Sequence, residues 1–287
     1  MANSPAHRFG QIIGDILEEA MIDFLQPIAR QYSLYLDYRH SRTARNNRKE
    51  VRWEDINGNT HKLDIVMEEN GSESTLGNPR VFIEMAWRKY TKHSKNKAQE
   101  ISGAIKPLIT KYSRYTPFFA AIVAGDFTKN SLDQMKSEGF EVVYMPIDTI
   151  EKAFSVVGID VNWEEITSEN SLRERVEKYD RLSQTEISQL KQELILQNND
   201  QLNNFLKKLS RSLERKISSV GVVSIYGKPS DFSSIDEACS YISSCNEISS
   251  DLEFYKFEIF VRYSNGDKLD AQYNDRQTAI TFLRSLS

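Results

Sequence analysis

Two short apolar runs, each carrying a single carboxylate, constrain this chain more than any other feature. Asp64 sits in His61-Lys-Leu-Asp-Ile-Val-Met67, and Glu84 sits in Val81-Phe-Ile-Glu-Met-Ala-Trp87. Both runs are rich in β-branched or aromatic residues and read as neighbouring strands. A carboxylate in such a run is costly unless a cation compensates it. Half the positions of a strand face outward, so either acid alone also reads as a residue on a solvated sheet face. Two acids on adjacent strands have a further possibility: they can share one divalent cation, the arrangement used for metal-assisted phosphodiester hydrolysis.

The 287 residues are 39% hydrophobic and 27% charged, an ordinary globular balance that predicts one large domain or two. No run approaches the ~20 apolar residues of a membrane span, and the N-terminus has no apolar signal region. A cytoplasmic protein with no membrane partner is expected. Cys239 and Cys245 are too few for a disulfide framework and lack histidines at zinc spacing. The net charge of -4 argues against a generic nucleic-acid binder, yet the basic residues are clustered. Arg39, Arg42, Arg45, Arg48, Lys49 and Arg52 form one group, and Arg88, Lys89, Lys92, Lys95 and Lys97 a second. Such runs are commonly solvated faces. Flanking a carboxylate pair, they are expected to form a phosphate-binding rim.

Periodicity predicts a helix over 8–31, with Phe9, Ile13, Ile16, Leu17, Ala20, Phe24 and Ile28 on one stripe. Residues 39–50 read as a loop. The runs 51–56 and 62–67 flank Asn57-Gly58, a hairpin signal. A surface loop over 68–80 leads to a strand over 81–87. A helix follows over 95–112, broken in pattern by Pro107, with strands over 118–124 and 140–145 and helices over 130–138 and 148–157. The expected sheet is mixed and flanked by helices.

Composition shifts after Trp163. Residues 170–218 are polar, lack Gly and Pro, and repeat Leu at three- to four-residue spacing, from Leu172 to Leu213, with a break near Ser183. They predict a helical arm over 164–218 that packs on itself or on a partner chain. Residues 219–287 predict a small α/β domain, with strands over 220–226, 257–263 and 268–273 and helices over 234–243 and 276–286. That domain is assigned to dimerisation or target recognition. The first domain is bounded at 1–163.

The order of elements and the two acids resemble the PD-(D/E)xK, or restriction-endonuclease-like, nuclease superfamily over about residues 8–160. In that family the first acid lies on the second strand, matched by Asp64, and the second opens the (D/E)xK motif on the third strand, matched by Glu84. Met85 is then the residue whose main-chain carbonyl completes the metal shell. Gly14-Asp-Ile-Leu-Glu18 matches the Gly-x-x-x-Glu pattern of the first helix, with Glu19 as the competing choice. The chain departs from the motif at Ala86, where the family has lysine. Lys97, at the start of the following helix, is the candidate replacement, and Lys62 the runner-up. Arg88 shares a face with Glu84 but holds its proton too tightly for base work. On that helix Gln99 or Glu100 could orient a water, and His93 could act as a base.

The resemblance implies a Mg²⁺-dependent DNA endonuclease of restriction or antiviral defence, with Mn²⁺ as substitute. Asp64, Glu84, Met85 and Glu18 hold the metal, and Asp64, Glu84 and Lys97 are catalytic. Arg42, Arg45, Arg48, Arg88, Lys89, Lys92 and Lys95 hold DNA phosphates. The leucine-rich helices, surplus to a core complete by about residue 160, imply a homodimer through 165–287. The alternative is an inactive nucleic-acid-binding or assembly module.

Overall fold

The computed structural model describes residues 4–286 apart from 92–93, 116, 165, 215, 225–228, 246–247, 250–251, 254–255 and 265. It divides into two compact units, 1–207 and 208–287. Lys92 and His93 therefore lie outside the described residues.

The first unit begins with α1 (Pro5–Gln31), started by Pro5 and by Ser4, whose hydroxyl accepts the His7 N–H. Its apolar stripe is buried as the spacing implies, from Phe9 through Ile13, Leu17 and Ala20 to Ile28. The following strands are β1 (Leu34–Asp37), β2 (Val51–Glu54), β3 (Thr60–Leu63), β4 (Ile65–Glu69) and β5 (Asn78–Arg88). Then come α2 (Ser94–Lys111), β6 (Phe118–Gly125), α3 (Lys129–Ser137), β7 (Glu141–Pro146) and α4 (Ile147–Ser155). The main sheet has the order β1-β4-β5-β6-β7. Its β1, β4 and β5 are antiparallel, while β5, β6 and β7 are parallel and joined by α2 and α3. The fold is mixed α/β, a mixed sheet flanked by helices.

Two details differ from the sequence expectation. Strand β1 was not anticipated, because Leu34-Tyr-Leu-Asp37 is only one alternation long. The run 62–67 is not one strand: it divides at Asp64, which belongs to neither flanking strand. On one side β3 pairs with β2 in a separate two-stranded ribbon, turned at Gly58 with φ +82°. On the other, β4 enters the main sheet. Asp64 thus occupies the joint where the chain leaves the ribbon.

Helices α5 (Glu169–Asp180) and α6 (Gln184–Gln197) are part of this unit, not a free arm. Ser183 caps α6 with a reciprocal capping box, explaining the break in the leucine pattern. Both helices pack on α1, and α6 also on α4. Leu172, Leu190 and Leu194 are buried, as are Leu202 and Phe205 in α7 (Asn199–Leu213). The core is therefore not complete at residue 160. Leu172, Leu190 and Leu194, among the leucines invoked for a homodimer, are covered within the first unit.

The second unit contains β8 (Ile217–Ser224), β9 (Ser230–Phe232), α8 (Ile235–Ser244), β10 (Ile248–Ser249), β11 (Leu252–Glu253), β12 (Phe257–Tyr263), β13 (Lys268–Tyr273) and α9 (Arg276–Arg284). Its four-stranded sheet is ordered β13-β12-β8-β9. Alternation along β12 buries Phe257, Ile259, Val261 and Tyr263 with Cys239 and Ile242 of α8 and Leu283 of α9. Among the described residues, no helix is long and apolar enough to cross a membrane.

Candidate functional site

The joint between ribbon and sheet aims Asp64 at β5. Its Oδ2 accepts the Met85 N–H at 2.6 Å. The backbone of Asp64 in turn bears weakly on the Glu84 carboxyl, favouring its ionised form. Asp64 is tied to the β5 backbone at the point where ladder pairing between β4 and β5 stops at Ile65 and Ile83. Glu84 is only 7% exposed, and its Oε1 has no hydrogen-bond partner among the described residues. It shares the α2-facing side of β5 with Phe82 and Ala86.

Burial, and then the charge of Asp64, push the Glu84 carboxyl up to about 8. Burial also raises Asp64, but the Met85 N–H and the Lys97 charge oppose that rise. The Lys97 charge likewise pulls Glu84 down. Asp64 has the stronger anion-stabilising contacts, so the proton of the pair resides on Glu84. Burial of an acid beyond what nearby cations compensate is a frequent signature of functional sites.

Lys97, at the first turns of α2, is four-fifths buried at its side chain and 3.5 Å from the Glu100 carboxylate. Its charge bears on both acids. Ala86 belongs to the hydrophobic cluster with Ala98, Ile101, Val123 and Phe127, where an ammonium would be unsolvated. The cation whose charge bears on the two acids is Lys97, on the neighbouring helix. Lys62 does not: its side chain is 64% exposed and pairs with Glu50 at 2.5 Å. Gln99 and Glu100 are exposed.

Glu18 is half-buried on α1, whereas Glu19 is exposed and pairs with Lys191. Burial, then Asp64, raise Glu18 to about 7, and the charge of Arg39 opposes this. Glu18, not Glu19, is thus the acid that belongs to the Asp64 neighbourhood. The sequence reading placed Arg39 in the phosphate-binding group; its place just beyond β1, which pairs with β4, brings its charge to bear on Glu18. Among the described residues, no group of three or more His, Cys, Asp or Glu side chains is arranged to hold a metal. The donor chemistry nevertheless suits a hard divalent cation, for it consists of carboxylates, one with a buried and unpartnered oxygen.

The first basic group is not a rim throughout. Arg42 is fully buried and forks onto Glu68 with Nη1–Oε1 at 2.6 Å and Nη2–Oε2 at 3.0 Å. It also reaches Asp37 at 2.8 Å and the Ser72 and Thr75 carbonyls. Arg45 is buried, paired with Asp37 at 3.2 Å and donating to the His40 carbonyl. Both staple the 38–48 segment to the sheet edge and are unavailable to a phosphate. Arg48 is exposed, as is Lys95. Arg88 and Lys89 are half-buried on the wall of a cleft of about 740 Å³. Met85, Ala86 and Lys97 line the same cleft.

No protein-family model matches the chain, and no curated protein or solved structure matches it.

Proposed function

We propose that the chain is a metal-dependent deoxyribonuclease with a restriction-endonuclease-like first unit. The hold of the Asp64 carboxylate on the backbone beside Glu84, with the unpartnered Glu84 oxygen, carries this reading. The order of elements supports it. An antiparallel β1-β4-β5 meander is followed by a helix and a parallel strand, with one acid opening the second strand and the other on the third. Asp64 and Glu84 would hold Mg²⁺, with Glu18 at the edge and Met85 supplying main chain. The bound cation would stabilise charge building on the phosphate. Lys97 adds a fixed positive charge beside the same carboxylates and lines the cleft through which a phosphate would approach. Arg88, Lys89, Lys95 and Arg48 remain as phosphate contacts. Restriction or antiviral defence is the role that this activity would serve.

A second reading, an inactive nucleic-acid-binding module, draws on Ala86 and on the lack, among the described residues, of a formed three-residue metal cluster. Titration with Mn²⁺ and a plasmid-cleavage assay in Mg²⁺ separate the two. Cleavage that disappears in Asp64→Asn and Glu84→Gln supports the nuclease. Soluble, folded wild-type protein that neither binds Mn²⁺ nor cleaves any DNA would refute it.

A further inference from the structure

The cleft beside the carboxylates has a shape that bears on what kind of nucleic acid enters. One wall is a single stripe of α1: His7, Gly10, Gln11 and Gly14 line it. Glu18 continues that stripe one turn further along. The opposite wall is the C-terminal end of β5, from Met85 to Tyr90, and Trp163 closes the side. The groove thus runs along α1 from its N-terminal turn to Met85 and Ala86, the two residues that follow Glu84; Asp64, Glu84 and Glu18 themselves do not line it.

Two glycines make the α1 wall flat. A Cβ placed on Gly14 would meet nothing within 4 Å, and one on Gly10 would lie 3.9 Å from the Trp87 indole nitrogen. The space over Gly14 is open groove. Three basic side chains, Arg88, Lys89 and Lys97, line it against the exposed Glu164 and Glu169. The Lys89 ammonium lies 4.9 Å from the Trp163 ring centre, so that ring face is occupied. Trp87 and Tyr90 are half-buried and present aromatic surface on the wall. Cations that follow a backbone, with aromatic rings beside them, are the equipment for holding a single strand. The volume, about 740 Å³, falls in the range of about 300–1,000 Å³ typical of small-ligand clefts.

We infer that the groove along α1 binds single-stranded nucleic acid and leads it to Asp64 and Glu84, so the substrate is a single strand or an unpaired end. The inference rests on the nuclease reading for its functional meaning, but its test does not. Anisotropy of a fluorescent oligonucleotide, measured in EDTA, compares one sequence as single strand and as blunt duplex. The wild type should bind the single strand at least tenfold more tightly. Gly14→Leu, which fills the groove from a helical position, should lose tenfold or more of that affinity. Gly103→Leu, also helical and with nothing within 4 Å of its Cβ, should not. Circular dichroism checks that both variants are folded, and Gly14→Ala, which adds only the Cβ, should bind nearly as wild type. Equal or tighter duplex binding, or Gly14→Leu indistinguishable from wild type, would overturn the inference. Selective single-strand binding without cleavage in Mg²⁺ would leave the groove standing and remove the nuclease.

Discussion

Replacing Glu84 by Gln should make the metal-free protein more stable, and only above a certain pH. The folded-state carboxyl is raised from 4.5 to about 8. Between those values the native state holds a proton that the unfolded chain has released. Native stability therefore falls as pH rises through this window, by about 1.4 kcal/mol per unit for one group. The full loss at pH 8 is on the order of 4 kcal/mol, an upper figure because Asp64 shares the titration. Gln keeps the size of the side chain and cannot ionise. The difference between variant and wild type should be near zero at pH 4.5 and grow to several kcal/mol at pH 8. Urea unfolding in EDTA measures it. Trp53, Trp87 and Trp163 all lie in the first unit, so tryptophan fluorescence reports that unit alone. A variant less stable than wild type at pH 8, or a difference that does not change with pH, would refute the reasoning. Either result would mean that a protein cation already balances Glu84 and that the acid is structural.

Mn²⁺ binding at pH 7 should release a proton from the same carboxyl, read by calorimetry in two buffers of different ionisation enthalpy; no buffer dependence would contradict the assignment. Lys97→Ala should lower cleavage about 100-fold or more, by analogy with the loss of a positioned charge in other sites, whereas Lys95→Ala should only weaken DNA binding. Equal, mild effects would show that Lys97 has no special place. Arg42→Ala leaves Asp37 and Glu68 without their shared partner and should cost about 3–5 kcal/mol in urea unfolding. Arg48→Ala should leave stability unchanged and reduce the salt dependence of DNA binding by about one. Leu190→Ala should destabilise the first unit by about 2–5 kcal/mol, with no change of mass in light scattering; dissociation of a larger species would instead support the homodimer.

Long periodic elements were legible in the sequence. The α1 stripe and the β12–β13 hairpin needed only local spacing. The interruption at Asp64 was not legible, because Lys62–Met67 alternates up to Ile65 and is apolar from there, a pattern one strand can carry, and only pairing with two different strands divides it. Arg42 and Arg45 read as solvated for a related reason. The acids that bury them, Asp37 and Glu68, lie on other elements, one of them 26 residues away in sequence. The leucines of α5 and α6 announced a buried face but not its partner, since α1 carries a second apolar flank that its own periodicity does not separate from the first. Within the site, Asp64, Glu84, Glu18 and Lys97 could be named from residue type and context. The groove could not, since the glycines that shape it leave no pattern of their own.

The grip of Asp64 on β5 has a practical corollary. Its carboxylate holds the Met85 N–H at the spot where the ribbon departs, so it is also a buckle fastening that joint to β5. Shortening the side chain undoes the buckle along with the chemistry, and an alanine variant that is inactive cannot tell which was lost. The amide retains an acceptor for the backbone N–H. Asp64→Asn is therefore the form in which substrate can be trapped on an undisturbed sheet.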